Sequence, residues 1–176
     1  MGSLKSNLFY HEVRVSDYPL FDYQPYELVL TSKMVEVTVA HDLDLLHVHY
    51  AIPHASAAIM AREILKAQGI NIPVITTLHG TDITLLGREP AFEPVISHAI
   101  NRSDAVTAVS ESLRSDTLEL FGVERSIEVV NNFICARHFA KEADEAFRQS
   151  IAPDGEPILA HISNFRPVKR LHDVLE

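Results

Sequence analysis

Four short apolar runs recur along this chain, "LDLLHVHY", "IPVITTLHG", "SDAVTAVS" and "SIEVVNNF", each parted from the next by a segment of helical character. That alternation constrains the fold more than any other feature. A brief, mostly apolar run without a long polar face reads as a strand buried on both sides of a parallel sheet. The segments between them, "HASAAIMAREILKAQG", "PAFEPVISHAINR" and "ESLRSDTLELFG", read as helices, the first ended by Gly69 and the last closed by Gly122. Strands alternating with helices of about 10–15 residues imply right-handed βαβ crossovers and a parallel sheet with both faces covered. The fold class expected is α/β, of the doubly wound kind.

The flanks extend this reading. Upstream, "NLFYHEVRV" from Asn7 suggests a short, half-buried strand, and "YELVLTSKMVEVTVAHD" a helix, with Leu28, Val35 and Val39 near helical spacing despite its β-branched residues. Downstream, "KEADEAFRQSIAPDGEP" is polar and charged. It is followed by "ILAHIS", which reads as another buried strand, and by "NFRPVKRLHDVLE", which opens like a helix. A domain boundary is therefore expected near Ile151. Residues 1–150 would form one incomplete Rossmann-like domain, and 151–176 the first strand and helix of a second.

At 176 residues and 47% hydrophobic content the chain can bury a real core. Its net charge of −9, from 24 acidic and 15 basic residues, argues against a grip on nucleic acid or an anionic membrane, because that grip relies on clustered cations. A small-molecule partner is expected instead. The lone cysteine, Cys135, allows no intrachain disulfide and no Cys-rich zinc site, which fits a reducing cytoplasm. No apolar run reaches the roughly 18 residues of a membrane span, and the N-terminus lacks the layout of a signal peptide. "MGSLKS" matches an N-myristoylation pattern through Gly2 and Ser6, though an arbitrary fragment start reads the same way.

In open α/β sheets ligands bind beyond the carboxyl ends of the strands. The residues there are "HVHYAIPH", "TTLHGTD", "AVSES", "VVNNF" and "HISNFRPVKR". His47 and His49 lie two apart on a strand and share a face, and His79 leaves another strand, so three imidazoles could in principle bind zinc. The strand exits offer only Asp82 as an obvious carboxylate, and histidines at strand ends often brace a loop through a backbone carbonyl. Scaffolding is therefore the preferred reading of His47, His49 and His54, and no metal is expected. In "LHGTD", Gly80 lets the backbone approach a ligand, Thr81 and Asp82 can cap a following helix, and His79 is placed to point into the cleft. An ordinary capped turn would carry the same letters. In "SNFRPVKR", Arg166, Lys169 and Arg170 cluster where a helix N-terminus would add its positive end, which suits a diphosphate. A solvated basic face is the plain alternative.

Taken together, "HVHYAIPH", "TTLHGTDITLLG", "DAVTAVSESL", "VVNNFI" and "HISNFRPVKRLHDV" resemble the retaining GT-B glycosyltransferases of family 4, from about Leu8 to the last residue. "HYAIPH", "LHGTDIT" and "SNFRPVKR" are narrower than the general family pattern and point to its malate-using branch in bacillithiol biosynthesis. The resemblance implies an N-terminal acceptor-binding domain and the start of a nucleotide-sugar domain. It implies transfer of N-acetylglucosamine from UDP-N-acetylglucosamine to the hydroxyl of L-malate, with retention and without a metal. His79 matches the family histidine beside the donor sugar, expected to orient rather than to attack. Tyr50, Thr77 and Asn132 match strand-end positions facing the acceptor pocket. The family stabilises the leaving diphosphate with an arginine and a lysine five residues apart. Lys169 holds the lysine position, Asn164 stands where the arginine would be, and Arg166 is the substitute at hand.

The family's Gly-rich opening loop has no counterpart here, nor do its uridine contacts and paired glutamates, so the chain is expected to be an inactive fragment of a longer enzyme. A sheet lacking its first strands exposes an edge that invites pairing with a second copy, hence a homo-oligomer. The alternatives are another family 4 acceptor, a non-catalytic sugar-nucleotide module and, less favoured, a metal hydrolase.

Overall fold

In the computed structural model, which describes residues 8–15, 19–20, 22–85, 87, 89–139 and 144–175, the four runs form strands β1 (Leu46–His49), β2 (Val74–Leu78), β3 (Ala105–Ala108) and β4 (Ile127–Val129). They pair in parallel in the order β1-β2-β3-β4, with Leu46 opposite Val74, Ile75 opposite Ala105 and Val106 opposite Ile127. Helix α1 (Tyr26–His41) precedes the sheet, and α2 (Ser56–Ala67), α3 (Glu93–Arg102) and α4 (Glu111–Leu120) make the crossovers. These strands and helices belong to a unit spanning Met1–Asn132.

Spatial order equals chain order, and right-handed crossovers that all step the same way put their helices on one face. Burial follows that rule. Leu46, Val48, Val74, Thr76, Leu78, Val106, Ala108 and Ile127 are buried, whereas His47, His49 and Glu128 on the opposite face are exposed. The unit is thus parallel α/β and Rossmann-like as expected, and it contains the half of a doubly wound layout that winds in one direction. Strand β1 differs from its expected two-sided burial. It alternates buried and exposed, because the period of two turns Leu46 and Val48 to the helices and both histidines away from them.

Two apolar clusters fill the helix side. Leu46, Val48, Ile59, Leu65 and Val74 pack with Met34 and Val35. Leu78, Ile96, Ile100, Val106, Leu113 and Phe121 form the other, each large side chain contributing about 1.5–3 kcal/mol on burial. Gly69, at φ 83°, ends α2 as expected: Ile70 N donates to Leu65 O at 3.0 Å and Gly69 N to Lys66 O at 3.0 Å, satisfying the last carbonyls. Helix α4 ends differently. Phe121 is extended, at φ −128°, and its ring is buried in the second cluster, so a packed phenylalanine rather than Gly122 stops the helix.

The expected strand after Asn7 does not form over residues 8–15, where Leu8, Phe9 and Tyr10 are exposed. No neighbouring strand supplies a ladder there, and extended segments are not stable alone. "MGSLKS" lies outside the described residues. Among the described residues no helix is long and apolar enough to cross a membrane.

The second unit, Phe133–Glu176, holds α5 (Ala136–Phe139), α6 (Glu145–Ile151), a 3-10 turn at Pro167–Lys169 and α7 (Leu171–Leu175). The boundary expected near Ile151 falls within it. "ILAHIS" was expected to be a buried strand but makes no ladder, and Leu159 and Ile162 are 83% and 98% exposed. The apolar letters are right for a strand, but no strand among this unit's described residues pairs with them. The helix expected over "NFRPVKRLHDVLE" is interrupted, with Arg170 at φ 49° separating the 3-10 turn from five residues of α7.

Candidate functional site

The carboxyl ends of β1 and β2 lie side by side because the two strands are hydrogen-bonded neighbours in register. A π-helical turn follows each, Ala51–Ala55 after β1 and Thr81–Leu85 after β2. Asp82, only 1% exposed, joins the two exits. Its carboxylate accepts Ala51 N at 2.7 Å through Oδ2 and Gly80 N at 3.2 Å through Oδ1. Tyr50 N donates to Thr77 O at 2.8 Å, closing a second link between the strands.

Imidazoles line this join. His49 Nδ1 and His79 Nε2 share a hydrogen bond of 2.8 Å, with ring centroids 5.0 Å apart. The Tyr50 ring lies 5.1 Å from that of His79 and 6.0 Å from that of His54. His47 stacks on His49 at 5.0 Å and shares a 2.8 Å hydrogen bond with Thr77 Oγ1. Thr77 Oγ1 in turn lies 2.8 Å from Thr107 Oγ1. His54 Nδ1 donates to the carbonyl of His49 at 2.6 Å, so in its neutral form Nε2 is the acceptor for the Tyr26 hydroxyl at 3.3 Å.

Burial lowers the pKa of His49, and the positive charge that His79, His47 and His54 can carry lowers it further. Its ring is therefore less than half protonated at a pH where an isolated histidine is half protonated.

Four of the expected site residues come together here: Tyr50, Thr77, His79 and Gly80. Gly80 turns the chain at φ 118°, and its carbonyl accepts Thr84 N at 2.7 Å. Thr77 is buried, with its hydroxyl occupied by His47 and Thr107. Asn132 is exposed beyond β4, where its neighbour Asn131 donates to Val109 O at 3.0 Å. Arg166 and Lys169 belong to the second unit, at the start and end of the 3-10 turn, with Lys169 N donating to Arg166 O at 2.8 Å. Both side chains are exposed and neither is ion-paired with a described residue, whereas Arg170 pairs with Asp173. Among the described residues no three His, Cys, Asp or Glu side chains are grouped as a metal would need.

Residues 2–137 match the family model described as Glycosyltransferase Family 4. The chain belongs to glycosyltransferase family 4.

That match includes every residue of the strand-exit cluster and leaves Arg166 and Lys169 outside it. Over its whole length this family 4 chain is 47% identical to N-acetyl-alpha-D-glucosaminyl L-malate synthase of Bacillus anthracis, covering 46% of that protein. Over 108 residues it is 32% identical to the provisionally named teichuronic acid biosynthesis glycosyltransferase TuaC of Bacillus subtilis strain 168, covering 59% of this chain and 26% of that one. The chain thus spans less than half the length of either relative.

Two residues of the site do more than their letters predict. His49 is expected to be scaffolding and Asp82 to cap a following helix, whereas each makes a contact that joins the two exits. The period of two holds a usable signal for the first. His49 lies opposite Thr77, and His79 follows Thr77 by two positions on the same face. No local pattern announces that Asp82 reaches 31 residues back to Ala51.

Proposed function

We propose that this chain is part of a retaining glycosyltransferase that moves N-acetylglucosamine from UDP-N-acetylglucosamine to the hydroxyl of L-malate. The observation carrying this reading is the 47% identity that runs through the entire chain to a relative named as an N-acetyl-alpha-D-glucosaminyl L-malate synthase. In the transfer, the bond from the sugar's anomeric carbon to the diphosphate breaks and a bond to the malate oxygen forms on the same face. The malate hydroxyl proton leaves with the diphosphate. His79 hydrogen-bonds the sugar and orients it rather than attacking it. Tyr50 and Asn132 serve the acceptor, Thr77 stiffens the floor beneath them, and Gly80 lets the main chain come close. Arg166 and Lys169 meet the charge developing on the diphosphate, each contact worth roughly 3–4 kcal/mol by analogy with oxyanion holes. The transfer needs no metal and no cofactor, takes small-molecule substrates alone, and belongs in the cytoplasm.

The test is UDP release by the longer protein carrying this chain, measured with a panel of acceptors. L-malate should drive release, chelator should leave it unchanged, and His79→Ala should reduce it on the order of a hundredfold. Release driven by another acceptor and not by malate would place the chain with family members of different specificity, which the likeness to TuaC keeps in view. Sugar-nucleotide binding without release for any acceptor would make it a binding module.

A further inference from the structure

We propose that His49 is a positioning residue for His79, fixing which nitrogen that ring presents and in which protonation pattern. The proposal rests on the reading of His79 as the residue at the reacting centre. Its geometric basis is the 2.8 Å hydrogen bond between His49 Nδ1 and His79 Nε2, which leaves Nδ1 as the other polar atom of the His79 ring. The hydrogen bond at one imidazole nitrogen sets the state of the other.

Between two neutral rings a single proton lies in the bond, so their tautomers are linked. When His49 donates, His79 Nε2 is the acceptor, and the proton belonging to His79 sits on Nδ1 as a donor for a ligand. When His79 donates instead, its Nδ1 is bare and can only accept. A ring with no partner could rotate and offer either nitrogen.

His49 is itself held from several sides. Strand register fixes it opposite Thr77, His47 stacks on its ring at 5.0 Å, and His54 donates to its carbonyl at 2.6 Å. Tyr26 braces His54 in turn. Among the described residues, the titratable groups that contact the pair are His47, His54 and Tyr50, and the carboxylate at the join, Asp82, is taken up by Ala51 N and Gly80 N. The shared bond thus makes the pair a directed donor or acceptor, with the nitrogen left on His79 set by the direction of that bond.

Ring-nitrogen NMR of the protein, with His49→Phe and His49→Asn variants, tests this. Phenylalanine keeps the ring and removes the nitrogen. Asparagine puts a polar amide atom close to where Nδ1 was. The His79 nitrogen shifts and tautomer ratio should change in His49→Phe and return towards the native values in His49→Asn. For UDP release, kcat should fall on the order of tenfold in His49→Phe, as when an orienting partner is lost elsewhere. KM should stay within about twofold, because the loss is confined to the transition state. His79 nitrogens that are unmoved in His49→Phe overturn the proposal, even if turnover drops. If His79→Ala leaves UDP release intact, the reading of His79 as the reacting-centre residue fails. The spectra still decide by themselves whether His49 orients that ring.

Discussion

Gly80 turns the chain at φ 118° directly after His79, and Tyr50 does so at φ 77° directly after His49. Side chains resist both conformations, so each must be held by its surroundings. For Gly80 the penalty is separable from crowding, because a Cβ built there meets nothing within 4 Å. Gly80→Ala should therefore cost about 1–2 kcal/mol through backbone strain alone, read as a lower urea midpoint with an unchanged slope. The histidine beside Tyr50 makes stability depend on pH. A folded-state pKa below the ordinary 6.5 of a histidine means that the unfolded chain binds the proton first. Stability from this group is complete above 6.5, is lost as the pH falls through the window beneath it, and levels off below the folded value. Denaturation between pH 7.5 and about 5 should show that decline, and His49→Asn should make it shallower.

At the scale of elements, the join between the two strand exits depends on Asp82. Removing a buried carboxylate that serves two backbone N–H groups should cost about 3–6 kcal/mol in Asp82→Ala, from hydrogen bonds of about 1.5–3 kcal/mol each. Asp82→Asn should lie between that and the native protein, measured by urea denaturation. Helix α4 gives a smaller, independent check, since Ser110 Oγ accepts Leu113 N at 3.1 Å and Ser110→Ala should cost about 1 kcal/mol. The elements themselves were legible in the sequence: α1 to α4 and β1 to β4 follow periods that local letters carry. The stretches holding Tyr50, Thr77, His79 and Gly80 were legible as strand exits, while the choice of Tyr50 and Thr77 within them came from the resemblance to the family. What escaped was whatever depends on a partner. "LDLLHVHY" is apolar enough to hide that, among the described residues, one face of β1 has no helix over it. "ILAHIS" has the letters of a strand, but pairing decides whether a strand forms. Phe121 stops α4 through tertiary burial, which no cap rule sees.

For the whole molecule, the contrast is between a unit with two apolar clusters and one whose single buried described residue is Ala152. Opening free energies track buried apolar contacts. Amides of β2 and β3 should thus exchange far more slowly than those of α6 and α7, which hydrogen exchange followed by mass spectrometry would resolve. Equal protection in both would mean that the second unit draws its stability from contacts beyond those described. The strand order has a further consequence, for how the chain is made. Leu46 pairs with a residue 28 positions later, Ile75 with one 30 later and Val106 with one 21 later. Closing such short loops costs little entropy, and each new strand adds beside the one just laid down. A chain leaving the ribosome can therefore grow this sheet from one edge, and His79 meets His49 once only 30 further residues have followed it out. The strand-exit cluster would be assembled early in synthesis, well before Arg166 and Lys169 of the second unit emerge.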